Sequence, residues 1–364
     1  MNKIYNFSPV ASSLPDEVMQ QFNAALAEYS NSGISLMDVN ANSPEFKEII
    51  DGAESALREL MQIPDNYKIL FLQGGATTQF AAIPLNLLSE HKCADYILSG
   101  QHSRRAYLEA KKYGDIAIAA SSAGASPTFS AVPEVKSSHF RPDADYVHMC
   151  YNNTIYGTKF NSIPDTGSIP LVADMSSCTL SEPFDVSKFA LIYASAQKNI
   201  SIAGLTVVII REDIIGGCRA DAPDMLNYKV LADGKSVYNT PPVWGIYIAM
   251  LTFKWLLSLG GLDEMKRRSE RKASLIYDYL DSQKYYTAPV DRSCRSMTNV
   301  LFFTGDGELD RLFCEQAAER GLINLKGHAS VGGLCASLYN AMTYEGVEKL
   351  VEFMKDFARE NPKL

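Results

Sequence analysis

Three short segments set reactive residue types at boundaries between apolar runs and amphipathic ones. The first is Gln73-Gly74-Gly75-Ala76-Thr77-Thr78. Its glycines let the backbone turn sharply, and a helix opening near Ala76 offers free N–H groups to an anion. The second is Ala173-Asp174-Met175-Ser176-Ser177, where an apolar strand ends in an acid. In an open α/β sheet such a carboxylate faces the crevice where ligands sit; a helix cap or loop acid is the plainer alternative. The third is Ala194-Ser195-Ala196-Gln197-Lys198-Asn199, again just past an apolar strand. A lysine among small and apolar neighbours is desolvated and becomes nucleophilic near neutral pH, whereas an ordinary lysine is a solvated surface charge. Each signal is weak alone. Jointly they supply what pyridoxal 5'-phosphate requires: a lysine for its Schiff base, an acid for its ring nitrogen, and a helix N-terminus for its phosphate.

The elements that must hold these segments follow an α/β grammar. Short apolar runs at 68–73, 95–99, 116–121, 146–151, 171–175, 190–195 and 204–211 read as strands of a largely parallel sheet covered by helices. Helical patterns begin near Ala76 and His102, and Pro15-Asp16 opens another, since proline is tolerated in a first turn. A long helix over 243–259 stops at Gly260-Gly261, and a charged helix over 264–280 follows. Strand 299–304, helix 308–320, strand 334–338 and helix 344–358 then form a smaller α+β unit. The expected division is a large domain over 16–260 and a small one from 1–15 and 261–364.

Composition limits the function classes. The 364 residues are 46% hydrophobic and 21% charged, ordinary globular usage, with a net charge of −8. An acidic surface repels phosphate backbones and anionic lipid, so neither a nucleic acid nor a membrane is the expected partner. No apolar run reaches the roughly 20 residues of a bilayer span, and the start lacks a signal-peptide layout, so the expected location is cytoplasmic. Seven cysteines and five histidines are scattered without paired metal-ligand spacing, so no metal site is expected and the thiols read as free.

Longer matches carry a family. The stretches NFS, PDNYKILFLQGGATTQFAAIPLN, EAKKYG, NNTIYG, ADMSS, YASAQKNI, YNTPP, LKGH and VGG run nearly end to end. The chain resembles phosphoserine aminotransferase, a fold-type I enzyme of the class V aminotransferases that uses pyridoxal phosphate. The resemblance implies that Lys198 carries the cofactor and that Asp174 meets its ring nitrogen. Thr154 then lies near the ring hydroxyl, and Gln197 with the backbone of Ala76 and Thr77 cradles the phosphate. His102 occupies the place of a stacking tryptophan. Asn239 and Thr240 reach the cofactor phosphate of a neighbouring subunit, which implies a homodimer with shared sites.

Departures fall where substrate sits. Pro9-Val10-Ala11 stands for the family's Ser-Gly-Pro, and Ala41-Asn42 for its His-Arg pair. Thr77, Ala329 and Cys335 each stand where the family has an arginine. Asn42, His328, Ala329 and Cys335 therefore mark the altered substrate site. A charge-assisted contact to carboxylate or phosphate contributes roughly 1.5–3 kcal/mol, so several lost arginines cost orders of magnitude in affinity for a doubly anionic substrate. The expected enzyme acts on a less anionic amine, amino acid or keto compound. One alternative is an orthodox phosphoserine:2-oxoglutarate aminotransferase with a rebuilt anion site, for which Arg104 and Arg105 could supply cations. Others are elimination, decarboxylation or carbon–carbon bond formation, with Tyr156, His102 or His328 as acid–base groups, and a degenerate cofactor-binding subunit.

Overall fold

A computed structural model describes residues 3–363. Chain order begins with β1 (Tyr5–Asn6), α1 (Asp16–Ala27), α2 (Pro44–Met61), β2 (Tyr67–Gln73) and α3 (Ala76–Leu87). Next come β3 (Cys93–Leu98), α4 (Gln101–Ala110), β4 (Asp115–Ser121), β5 (Tyr146–Cys150), and the small hairpin β6 (Asn152–Asn153) and β7 (Thr158–Lys159). Strands β8 (Leu171–Asp174), β9 (Leu191–Ser195) and β10 (Leu205–Arg211) complete the large sheet. Helices α5 (Tyr228–Asp233), α6 (Val243–Ser258) and α7 (Gly261–Ser282) lead to β11 (Asn299–Phe302), α8 (Gly307–Glu319), β12 (Leu322–Ile323), β13 (Leu334–Ser337) and α9 (Tyr344–Glu360).

The seven-stranded sheet has the order β2-β10-β9-β8-β5-β3-β4. All neighbours are parallel except β10, which runs antiparallel to both β2 and β9. The connection from β9 to β10 spans only residues 196–204. A parallel return needs a crossover of about a dozen residues or more, so this short loop forces the reversal. It is also the loop that carries Gln197 and Lys198.

Alternation along the strands divides the core in two. Ile69, Phe71, Ile192, Ala194, Val207 and Ile209 pack on one face with residues of α1, α2 and α6. Leu70, Leu72, Leu191, Tyr193, Val208 and Ile210 pack on the other with residues of α3, α4 and α5. A third cluster gathers Tyr5 and Phe7 with side chains of α7, α8 and α9 and of β11 and β13. The N-terminal strand β1 pairs in parallel with β12 there, tying the start of the chain to its last third. Among the described residues no single helix is long and apolar enough to cross a membrane, and no cluster of His, Cys, Asp and Glu could hold a metal ion. All seven cysteines are free.

Candidate active site

Strands β2, β3, β5, β8 and β9 all run the same way, so their carboxyl ends open on one side of the sheet. A cavity of about 600 Å³ lies there, the place where open α/β sheets hold ligands. Each end delivers one part of it. From β2 the chain turns through Gly74, at φ +114°, into the first turn of α3. A side chain on Gly74 would collide with Thr78, so the turn demands glycine. Gly100 after β3 opens α4, which presents His102. Beyond β5 comes the hairpin that carries Thr154, β8 ends at Asp174, and the loop after β9 brings Lys198.

Lys198 is buried and its Nζ donates to Thr154 Oγ1 at 2.8 Å. Burial pulls its pKa below the ordinary lysine range, and the nearby Asp174 carboxylate opposes that pull. Asp174 Oδ1 accepts from Ser176 N at 2.9 Å and from Ser176 Oγ at 2.6 Å. Its second oxygen, Oδ2, makes no hydrogen bond among the described residues and remains for the cavity. The Ala76 N–H donates to Ser195 Oγ at 2.7 Å, and Ser195 N donates to Ser176 Oγ at 3.0 Å. Ser195 therefore links the α3 N-terminus, held by its hydroxyl, to Ser176, held by its backbone N–H. Gly75 at the N-cap has no side chain to cap α3, and the Thr77 N–H has no partner among the described residues, which leaves a donor at the positive end of a helix.

The lysine loop is held from elements remote in sequence. Ser12 N donates to Gln197 O at 3.0 Å, and the Ser12 hydroxyl donates to Lys198 O. Asn340 N donates to Asn199 Oδ1 at 2.9 Å. The turn around Asn340 is fixed in turn by buried Lys272, whose Nζ donates to the carbonyls of Leu338, Tyr339 and Met342 at 2.9–3.1 Å. None of these contacts was expected from the sequence, because no local pattern joins residue 12, 272 or 340 to residue 198.

Of the residues singled out from sequence, Ala76, Thr77, His102, Thr154, Asp174, Gln197, Lys198, His328 and Cys335 line one cavity. Arg105 lines it as well and Arg104 does not. Three residues past His102 is the same helical face; two is the opposite one. Burial and the charge of Lys198 pull His102 down to about 4, with Arg105 and His328 adding to the effect. His102 is thus a neutral ring at physiological pH, suited to stacking. Cys335 is buried and its thiol is pushed up to about 12, so this position offers no charge. Tyr156 packs edge-on against Phe129 outside the cavity, at a ring separation of 4.9 Å.

Asn42, Ala329, Asn239 and Thr240 do not line the cavity of their own chain. Asn42 is an exposed turn residue before α2, with its N–H on Asn40 Oδ1 at 2.8 Å. Asn239 and Thr240 sit beside Gln73, where Asn239 Nδ2 donates to Gln73 Oε1 at 3.1 Å.

Comparison with known proteins decides the family. A model described as aminotransferase class-V matches residues 4–350. Phosphoserine aminotransferase of Bacillus cereus is 48% identical over 361 residues, covering 99% of this chain and all of that one. Phosphoserine aminotransferase of Nitrosomonas europaea is 50% identical over 367 residues, covering 99% of each. The solved phosphoserine aminotransferase from Bacillus circulans subsp. alkalophilus superposes with a TM-score of 0.95 at 41% identity, over 98% of this chain and 99% of that one. The chain belongs to the phosphoserine aminotransferase family of class-V aminotransferases.

A transferase of this family has the fold-type I architecture seen here and uses pyridoxal phosphate. The solved pyridoxal-phosphate-bound relative from Trichomonas vaginalis has a TM-score of 0.89 and 35% identity, over 97% of this chain and all of that one. The donor set here fits that cofactor: an amine on Lys198, an acceptor on Asp174 Oδ2 and an N–H at Thr77.

Behind Asp174 lies a buried histidine that sequence reading overlooked. His148 Nε2 meets Tyr193 Oη at 2.9 Å, its ring stacks on Tyr96 at 4.6 Å, and Nδ1 has no partner among the described residues. Burial pulls His148 down to about 4. The unfolded chain, with an ordinary histidine near 6.5, takes up a proton first as pH falls. Stability present above pH 6.5 is therefore lost progressively toward pH 4, by on the order of 3 kcal/mol from this residue. Chemical denaturation at pH 7 and pH 4.5 measures the slope, and His148→Phe should flatten it; an unchanged slope would remove His148 as its source.

Proposed function

We propose that this chain moves an amino group between an amino acid and a 2-oxo acid, with phosphoserine as the amino donor. The observation that carries the reading is Lys198 Nζ, buried and held on Thr154 Oγ1 in the same cavity as Asp174. Bound pyridoxal phosphate supplies the electron sink for the transfer. Lys198 holds the cofactor and then moves a proton to and from the substrate α-carbon, a task helped by its lowered pKa. Asp174 Oδ2 accepts the ring N–H, the α3 N-terminus and Gln197 take the phosphate, and His102 stacks on the ring. Relatives bearing the phosphoserine aminotransferase name align end to end at 47–50% identity. They favour the orthodox substrate over the less anionic one anticipated from the missing arginines.

The working unit in this reading is a cytoplasmic homodimer. Asn239 and Thr240 lie exposed and outside their own cavity, free to reach the cofactor phosphate of a second copy. A second reading, a less anionic substrate, is favoured by one observation. Cys335 lines the cavity as a buried, uncharged thiol where the family resemblance calls for arginine.

A half-reaction screen separates the two. Holoenzyme is mixed with phosphoserine, glutamate and a panel of neutral and basic amines while the cofactor absorbance is followed. The expected result is rapid conversion by phosphoserine and glutamate. Silence with both, together with conversion by a neutral amine, would overturn the orthodox substrate.

A further inference from the structure

Two buried asparagines, Asn199 and Asn340, meet behind the active site, and neither lines its cavity. Asn199 follows Lys198 directly, and its Nδ2 donates to Thr179 O at 2.9 Å. Asn340 lies in the turn between β13 and α9. Its backbone N donates to Asn199 Oδ1 at 2.9 Å, and its Nδ2 donates to Leu180 O at 2.8 Å. Thr179 and Leu180 belong to the tight turn that leaves β8 just after Asp174, where Cys178 N and Thr179 N both donate to Met175 O, at 3.0 and 2.8 Å. One residue from the last third of the chain thus bonds both segments that carry the reactive pair, across 141 and 160 residues of sequence.

This joint is costly to build. Leu180 is fully buried at φ +64°, a left-handed backbone that strains a residue with a side chain and persists only where its surroundings fix it. The Asn340 amide is the side chain that holds the Leu180 carbonyl. Its own Oδ1 has no partner among the described residues, so the donor end alone orients the amide. A buried amide with one free end is destabilising compared with an apolar residue of similar size. The turn is nevertheless made rigid, because Lys272 Nζ donates to the carbonyls of Leu338, Tyr339 and Met342 on both sides of Asn340. Strain, a free polar end and a buried ammonium converge on one residue whose bonds all lead to the active site.

We propose that Asn340 is a positioning residue for amino transfer, holding the Lys198 loop in register with the turn that follows Asp174. The inference deepens the amino-transfer reading and rests on the roles given there to Lys198 and Asp174. Lys198 has to reach the substrate α-carbon while Asp174 holds the ring nitrogen, so the two must keep one separation. The sheet sets that separation only as far as the strand ends, where Asp174 pairs with Tyr193. Lys198 lies three residues beyond the end of β9, on a loop outside that ladder. Asn340 and Asn199 supply the tie that the ladder lacks.

The test compares holoenzyme of wild type, Asn340→Ala, Asn199→Ala, the double variant and Phe313→Leu, with the cofactor band confirming that each is loaded. Phe313 packs against Tyr286, Phe302, Phe353 and Phe357 rather than at the joint, so its variant reports lost packing alone. Saturating half-reaction rates with phosphoserine and glutamate should fall about 10- to 100-fold in Asn340→Ala, the scale of a misplacement of about 1 Å. Half-saturation should stay within about threefold, because Asn340 does not touch substrate. Asn199→Ala carries the same expectation through the other half of the joint. The double variant should lose little more than the larger single loss, since both amides serve one contact. Phe313→Leu should keep its rate within about twofold.

A second readout needs no turnover. In the cofactor-free protein the pH midpoint for acylation of Lys198 should rise in Asn340→Ala. Burial is the larger influence on that amine, and a loosened loop admits water. The titratable neighbours that oppose burial, Asp174, Cys150 and Cys178, are all retained. Any one of four results overturns the joint while amino transfer stands: an unmoved midpoint, a rate within about twofold of wild type, losses that multiply in the double variant, or an equal loss in Phe313→Leu. A raised midpoint, in a protein whose wild type converts neither phosphoserine nor glutamate, keeps the joint and drops the phosphoserine reading.

Discussion

Lys198→Ala lowers amino transfer by roughly 10⁴-fold, the upper end of what one positioned proton carrier contributes. The cavity has no ready substitute. Lys326, the other lysine lining it, is exposed and is itself bridged to Leu334 at the rim, whereas Lys198 is buried on Thr154 Oγ1 at 2.8 Å. The other contacts proposed for the cofactor, at Asp174 Oδ2 and the α3 N-terminus, are untouched by the substitution, so the variant is expected to take up pyridoxal phosphate without a covalent tie. Treatment with borohydride followed by peptide mapping should fix the cofactor on the Lys198 peptide in wild type and on none in the variant. Covalent capture that persists in Lys198→Ala, or transfer within tenfold of wild type, would remove Lys198 from both roles. Truncation also leaves Thr154 Oγ1 without its donor inside a buried hairpin, which costs about 1–3 kcal/mol of stability. A lowered unfolding midpoint is therefore expected alongside the lost activity and does not by itself explain it.

Much of this site could be read from residue order because each part sits at the end of a strand. The apolar runs at 68–73, 171–175 and 190–195 became β2, β8 and β9 with boundaries shifted by one residue at most. The reactive residues follow each run immediately, so locating the strands located the site. The direction of β10 was less visible. A run such as GLTVVIIR has the same appearance whichever way it pairs, and the length of the preceding loop decides its direction. Helix α2 was passed over despite strong signals: Ser43 caps it from Phe46 N at 3.3 Å, Pro44 opens it, and Phe46, Ile49, Ala53, Leu57 and Leu60 share a buried face. The contacts of Ser12 and Asn340 with the lysine loop, and of Lys272 with the turn around Asn340, had no local signature, since they join positions up to 186 residues apart. Arg104 and Arg105, by contrast, were separable from helix geometry alone, given that His102 faces the cavity.

Asp174→Asn tests the other half of the site. Ser176 N and Oγ hold Oδ1 at 2.9 and 2.6 Å, so the side chain's orientation is set before any ligand arrives. With Asn, the amide oxygen keeps those two bonds and the NH₂ group turns toward the cavity. A donor then faces the cofactor's ring N–H, where an acceptor stood. Losing one charge-assisted bond of about 1.5–3 kcal/mol weakens cofactor binding roughly 10- to 100-fold, and the opposed donors deepen the loss. The charge change also reaches Lys198. Its pKa is lowered by burial and raised by the Asp174 carboxylate; removing that carboxylate lowers it further. In the cofactor-free protein the amine should therefore become reactive toward an acylating reagent at lower pH in Asp174→Asn than in wild type. Two independent readouts follow: a weaker cofactor titration, and an acidic shift in the pH dependence of Lys198 acylation. Cofactor binding as tight as wild type would show that Asp174 does not meet the ring, whatever the acylation profile does. Weakened binding with an unmoved profile would mean instead that solvent in the cavity screens Asp174 from Lys198, and that the lowered lysine pKa comes from burial alone.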